Sequence, residues 1–434
     1  MIHYVLRFLC RLSLWVNFRK VYIEDVQHLP STSTIIYGLN HPTAFFEPIV
    51  LGTHTKSSCW YMLRGDMFSS KAAAWFLHQV HNLPIFRQRD GGSAGVRRNV
   101  ETMDFATDRV VQGEPTVILS EGVCKHERRL RPIQRGTARM MFQAWKKDPS
   151  APIAIVPTGC NYTAPNKFRS SLTITYGEPI YAADYASAHA EDPRGTVDVV
   201  TEELERRLRK MVIHVEDREN ESLVERLLPI IQRSYPNAGF PPVEYDGRVR
   251  AAQWRAVETI NGMSQFDLKQ FDEKLSSYER MLRESNVTDA AVAMPKYGSV
   301  WRAALLVILG PLAVLGLVVG YPFAQIINTQ ITKRVRSDQF FGSVRWVAGL
   351  VAWIVLAIVI TAVLSFVIGW FALLVVPMAT AFGYFSLLWY ESFDLWRQSI
   401  RINALAESQR SKLHKQRTQL LTEVSAFTTV QQRA

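Results

Sequence analysis

A chain of 434 residues that is 48% hydrophobic is long enough for one large domain or two ordinary ones, with a sizeable core. Its net charge of +11 points to polyanionic partners. The basic residues sit beside apolar segments, so the partner expected is a lipid bilayer surface and not nucleic acid. The four cysteines (Cys10, Cys59, Cys124 and Cys160) form no CxxC pair and no zinc-type spacing, which argues against structural disulfides and metal and for a reducing compartment.

The first segment, 1–20, is apolar with Arg7, Arg11, Arg19 and Lys20 interspersed. It lacks a clean uncharged core and a small-residue cleavage site, so it does not read as a cleavable signal. It reads as an amphipathic helix in the membrane interface, with Trp15 and Phe18 buried in lipid, or as an ordinary helix packed on the domain.

Residues 21–195 alternate short apolar runs with helical stretches. Strands are expected at Ile35–Leu39, Cys59–Leu63, Leu83–Phe86, Thr116–Leu119 and Ile153–Val156, with a half-exposed sixth at Leu172–Tyr176. Helices are expected at Thr43–Leu51, Lys71–Val80, Val96–Gln112 and Gly136–Lys147, with Gly91–Gly95 as a flexible joint. This alternation predicts an α/β layered domain with a largely parallel central sheet. Residues 196–300 are charged and helical in period, and read as an all-α extension with solvated faces.

Residues 301–392 form a membrane region. The block 346–390 is long enough for two spans that turn near Gly369 or Pro377. The block 303–327 is interrupted by Gly310-Pro311 and Gly320-Tyr321-Pro322, and reads as re-entrant or interfacial, with a true span as the alternative. Lys333, Arg334, Arg336 and Arg345 in one loop, and the basic tail 393–434, belong on the cytoplasmic side; a re-entrant 303–327 puts the α/β domain there too, whereas a true span would put it on the far side.

The sharpest chemical feature is Gly38-Leu39-Asn40-His41-Pro42-Thr43-Ala44-Phe45-Phe46-Glu47-Pro48. It places an imidazole at a strand's carboxyl end, where open α/β folds build sites. Glu47 is suited to fix one ring nitrogen while the other takes a proton from a hydroxyl. No serine here has a nucleophile's context, so the hydroxyl belongs to the substrate. Three further segments end strands: Leu83-Pro84-Ile85-Phe86-Arg87, Ser120-Glu121-Gly122-Val123 with its basic run, and Ile155-Val156-Pro157-Thr158-Gly159. Arginine's planar fork suits a phosphate.

These four ordered blocks resemble the glycerol-phosphate and lysophosphatidic acid acyltransferase superfamily, over roughly Val21 to Ile180. The resemblance is nearest to the branch of glycerol-3-phosphate and dihydroxyacetone-phosphate acyltransferases with carboxy-terminal membrane segments. It implies that His41 is the base and Glu47 its acidic partner. It implies phosphate binding by Arg87, by Glu121 and Gly122 of the third block, and by Lys125, Arg128 and Arg135 nearby, with Pro157 matching the fourth block. The acid stands at His-x5-Glu where the family commonly has His-x4-Asp, with Phe46 in the usual acid position, and Cys124 replaces an arginine. The implied reaction moves a fatty acyl group from acyl-CoA or acyl carrier protein to a hydroxyl of a glycerol-phosphate lipid precursor. It needs no metal or bound cofactor. The rivals are a catalytically degenerate lipid-binding scaffold and a lipid thioester hydrolase.

Overall fold

Short runs of β-branched and aromatic residues between turn formers become strands because such side chains pack well on a pleated, half-buried surface. In the computed structural model, which describes residues 2–31, 34–86, 88–235 and 240–431, they build one sheet. The chain divides into two units. The first holds Met1–His214, Pro242–Gly247 and Asp338–Ser343; the second holds Val215–Pro241, Arg248–Ser337 and Val344–Ala434.

The first unit is the expected layered α/β domain. Its sheet has nine strands among the described residues: β1 (Phe18–Glu24), β2 (Ile35–Leu39), β3 (Trp60–Arg64), β4 (Asn82–Ile85), β5 (Thr116–Leu119), β6 (Ala154–Tyr162), β7 (Ser170–Tyr176), β8 (Ile180–Tyr181) and β9 (Val243–Glu244). They lie in the order β4-β3-β5-β2-β6-β7-β1-β9, with β8 beside β6. Neighbours run parallel except where β6 meets β7 and β8. Its helices are α1 (Ile2–Asn17), α2 (Phe46–His54), α3 (Lys71–Gln79), α4 (Gln88–Val111), α5 (Gly136–Lys147), α6 (Ala186–Glu191) and α7 (Pro193–Met211). Parallel neighbours need long crossovers, and helices supply most of them. A core of Ile36, Ile155, Met140, Met141, Phe142, Leu204 and Leu208 joins α5 and α7 to the central strands. Each such buried side chain contributes about 1.5–3 kcal/mol.

Four local expectations are corrected. The first helix ends at Asn17, and Phe18–Lys20 open a strand. Phe18 is a core residue, with its ring 5.0 Å from that of Phe46, so it is not buried in lipid. Lys20 is fully buried and ion-paired with Glu244 of β9, a strand inside the stretch expected to be all-α. The glycines Gly91–Gly95 lie within α4, whose polar first turns carry the helix back to Gln88. Strand β7 is buried along its whole length. Its Thr175 hydroxyl donates to Glu24 at 3.0 Å and not to solvent.

The second unit is helical: α8 (Glu221–Gln232), α9 (Arg248–Asn261), α10 (Gln265–Glu284), α11 (Asp289–Ala293), α12 (Val300–Arg334), α13 (Asp338–Ile368, from Val344 on), α14 (Ala372–Asn403) and α15 (Glu407–Gln431). Buried Asp289 accepts from the Tyr278 hydroxyl at 2.7 Å and from Arg417 Nε at 2.8 Å, and Arg417 also donates to the Ile230 carbonyl at 2.9 Å. These bonds tie α8, α10, α11 and α15 together.

The stretches Val300–Val318 and Phe340–Asn403 are long and apolar enough to cross a membrane. The expected breaks at Gly310-Pro311 and Gly320-Tyr321-Pro322 do not occur. Both prolines lie inside one 35-residue helix. Its partner α14 supports it: Trp389 Nε1 donates to the Leu306 carbonyl at 3.0 Å, and a Cβ on Gly316 would lie 2.2 Å from the Ser386 hydroxyl. The turn between α13 and α14 falls at Gly369–Phe371, where Gly369 has φ +60°. Pro377 stays within α14.

Candidate active site

Strand β2 is the central strand, with β5 and β6 on its two edges. Its chain leaves the sheet through Asn40, which is clamped from both sides. The Asn40 carboxamide accepts from the Cys160 N–H at 2.7 Å and donates to the Cys160 carbonyl at 3.0 Å. His41 follows at once and is thereby held at the carboxyl end of the sheet. Its backbone N–H donates to the Glu121 carboxylate at 2.9 Å, which joins the loop after β2 to the loop after β5.

Residues 42–45 bend, and α2 begins at Phe46, three residues later than the expected start. Phe46 is fully buried against Phe18 and Tyr162. The next residue, Glu47, points back. One oxygen lies 3.4 Å from His41 Nδ1; the other accepts from the Thr43 N–H at 2.8 Å and the Thr43 hydroxyl at 2.7 Å. Thr43 Oγ1 in turn accepts from the Phe46 N–H at 3.3 Å. Glu47 has no exposure to solvent, and its position in the first turn of α2 gives it the favourable end of the helix dipole. With one oxygen bonded to Thr43 and the other toward Nδ1, the carboxylate orients the imidazole and leaves Nε2 open for proton transfer.

Glu121 sits in a loop turned by Gly122, whose φ of +70° favours glycine. Burial pushes the Glu121 carboxyl up to about 7, against the lowering influence of the His41 N–H and of the His41 and Arg131 charges. Cys124 is close by. Burial, then the charges of Glu47 and Glu121, push its thiol up to about 12, so it is neither a thiolate nor a nucleophile at neutral pH. The Tyr162 hydroxyl is buried near Thr43 and Glu47, and burial, with the Glu47 charge second, holds its pKa well above the usual value.

The anticipated phosphate-binding residues separate. Arg87 lies outside the described residues. Glu121 and Gly122 adjoin His41 as above. The Lys125 N–H donates to the His41 carbonyl at 3.4 Å, and its ammonium pairs with Glu127. Arg128 donates to the backbone carbonyls of Tyr162 and, at 2.7 Å, Thr163. Arg135 is half exposed in an ion pair with Asp198 at the start of α5. Pro157 is a buried β6 residue in register with Gly38.

The residue that sequence reasoning left without a role of its own is Arg131. One of its guanidinium nitrogens is buried with no hydrogen-bond partner, and its charge acts on both Glu121 and Cys124. Asn40 and Thr43 were also missed. The signal for both was their place beside His41 at a strand-to-helix turn, where short polar side chains bond to nearby backbone.

Residues 20–161 match the family model described as acyltransferase. Glycerol-3-phosphate O-acyltransferase 2 of Saccharomyces cerevisiae is 36% identical over 100 residues, which is 23% of this chain and 14% of that protein. Glycerol-3-phosphate O-acyltransferase 1 of the same yeast is 34% identical over 88 residues, which is 20% of this chain and 12% of that one. The matches thus span a small part of each relative. Among solved structures, the 1-acyl-sn-glycerophosphate (LPA) acyltransferase PlsC of Thermotoga maritima aligns with a TM-score of 0.33 and 14% identity, over 47% of this chain and 79% of that one. Residues 20–161 thus match an acyltransferase domain, and about a fifth of the chain is similar to two yeast glycerol-3-phosphate O-acyltransferases.

Proposed function

We propose that this acyltransferase domain moves a fatty acyl group from acyl-CoA or acyl carrier protein to a hydroxyl of glycerol-3-phosphate or 1-acylglycerol-3-phosphate, in phospholipid synthesis at a membrane. The observation that carries the reading is the His41 Nδ1–Glu47 contact of 3.4 Å at the carboxyl end of a central strand. Two yeast glycerol-3-phosphate acyltransferases among the relatives favour glycerol-3-phosphate as the acceptor. The membrane reading is supported by α12, α13 and α14, whose apolar residues, such as Val307 and Phe366, are extensively exposed. The basic residues Lys333, Arg334 and Arg336 around the α12–α13 connection favour the cytoplasmic side for that connection, and the α/β domain shares that side if α12 lies along the membrane without crossing it.

In the proposed reaction His41 Nε2 removes the proton from the acceptor hydroxyl as its oxygen attacks the thioester carbonyl carbon. The C–O bond forms, the C–S bond breaks, and the imidazolium returns the proton to the leaving thiolate. Glu47 offsets the imidazolium charge. General-base catalysis of this kind contributes about 10²–10⁴ in rate. Arg131 and Lys125 hold the acceptor's phosphate and so aim its hydroxyl.

The test is incubation of the full chain in detergent or nanodiscs with labelled palmitoyl-CoA and, separately, glycerol-3-phosphate, 1-acylglycerol-3-phosphate, dihydroxyacetone phosphate or no acceptor. Label should pass to a phosphate-bearing acceptor. Release of free fatty acid at the same rate in all four would overturn the proposal in favour of a hydrolase. No turnover in any would favour a degenerate scaffold.

A further inference from the structure

We infer that Phe45 and Phe340 together form the wall that holds the acyl chain of the donor beside His41. The inference rests on the acyl-transfer reading above.

A thioester attacked at His41 must bring its carbonyl carbon to within about 3–3.5 Å of the acceptor oxygen. The first methylenes of its chain then lie within a few ångströms of the loop that carries His41. Most of that loop is committed to polar work. Asn40 is clamped to Cys160, the His41 N–H to Glu121, and Thr43 to Glu47. Phe46 is fully buried in the core. Phe45 is the large apolar side chain of this loop that remains half-buried.

Phe45 meets Phe340, nearly three hundred residues later in the chain, edge to face with ring centroids 6.3 Å apart. Phe340 belongs to Asp338–Ser343, a segment that counts with the acyltransferase unit although the chain on both sides of it counts with the other. Its seat is specific. The Gly342 N–H donates to the Asn166 carboxamide oxygen at 3.3 Å, and Gly342 lies so close to Pro165 that a Cβ would come 2.3 Å from that residue's carbonyl oxygen. Ser343 is buried at 1% exposure. Gly342 and Ser343 fasten the segment and are buried, whereas Phe340 and Phe45 both keep part of their surface open. An apolar, half-open pair of rings beside a polar catalytic loop suits an alkyl chain. Phe340 also begins the long apolar stretch Phe340–Asn403, so it stands where the sequence turns toward lipid.

The experiment compares octanoyl-CoA with palmitoyl-CoA. Binding is measured on the full chain in nanodiscs in an H41A background, where turnover does not interfere, and kcat/KM is measured with His41 intact. F340A and F45A should each reduce binding and kcat/KM for palmitoyl-CoA about tenfold more than for octanoyl-CoA, the scale of discrimination that apolar contacts supply. F340L should restore the preference, and thermal midpoints should change little. G342A, which unseats the segment, should flatten the same preference. An unchanged palmitoyl-to-octanoyl ratio in F340A and F45A would overturn the inference, as would an equal loss for both donors. Absence of product from the unmodified enzyme would instead overturn the acyl-transfer reading, while the binding ratios would still decide on Phe340.

Discussion

The backbone N–H of His41 donates to the carboxylate of Glu121, 2.9 Å away and eighty residues later in the chain. The bond joins two loops that leave adjacent parallel strands, so the position of the imidazole depends on both. It also exposes the site to pH, because burial raises the Glu121 carboxyl from 4.5 to about 7. A carboxyl with a raised folded-state pKa costs stability where it is ionised. That cost is absent below pH 4.5, grows toward 7 and is constant above. E121Q keeps an acceptor for the His41 N–H and has no such cost. It should therefore be more stable than the unmodified protein at about pH 8, by about 1–3 kcal/mol, and match it near about pH 4.5. Unfolding midpoints across that range check the sign. A stability difference independent of pH would contradict it.

The His41–Glu47 pair should behave as a unit. H41A should lower kcat by about 10²–10⁴. E47Q keeps the shape and loses the charge, and should fall within the same range, with little further loss in the double variant. T43A removes one hydrogen bond to Glu47 and should lower kcat about fivefold, corresponding to roughly 1 kcal/mol. Steady-state kinetics with palmitoyl-CoA measure all four.

For the phosphate, Arg131 and Arg135 should part company. R131A removes a guanidinium with an unoccupied nitrogen beside Glu121, and should raise KM for glycerol-3-phosphate about 10–100-fold while leaving KM for the acyl donor alone. R135A breaks a surface ion pair with Asp198 and should change neither constant more than about twofold. The comparison of acceptor and donor KM values in both variants is the check.

Cys124 replaces an arginine of the resembling family, and its raised pKa keeps it a thiol. C124S should retain most activity, and iodoacetamide at neutral pH should modify the folded protein at this position slowly. Rapid inactivation that C124S abolishes would show a thiolate instead.

In the helical unit, G316V would drive a side chain into Ser386 and Phe382 and should destabilise the α12–α14 packing by about 1–3 kcal/mol. A lowered thermal midpoint in detergent, with less change for G320V, where nothing lies within 4 Å of a Cβ, is the expected pattern.

How much of this was readable beforehand follows from the range of the forces involved. Strands β2 and β5 declared themselves because both are short apolar runs with turn residues after them. His41 could be placed because strand ends are local. Strand β1 was misread because Phe18-Arg19-Lys20 continues an apolar, basic helix pattern, and what buries Lys20 is Glu244, more than two hundred residues away. The continuity of α12 was hidden for the same reason. Proline weakens a helix locally, and the contacts that hold it together come from α14. The sequence does not rank the arginines after Glu121, and it is the carbonyls of Tyr162 and Thr163 and the carboxylate of Asp198 that distinguish Arg128 and Arg135 from Arg131.

The burial of Phe46 has a consequence for how the His41–Glu47 pair can change over time. With its ring packed among Phe18 and Tyr162, the first turn of α2 is locked in rotation, since turning it by one residue, about 100°, would lift an aromatic ring out of the core and bring a carboxylate into it. The distance in sequence from His41 to its acid is therefore inherited from the hydrophobic interior. Moving the acid to position 46 and an apolar residue to position 47 would need a rebuilt interior behind it, so a shift of the acid by one residue calls for several substitutions made together and not for one.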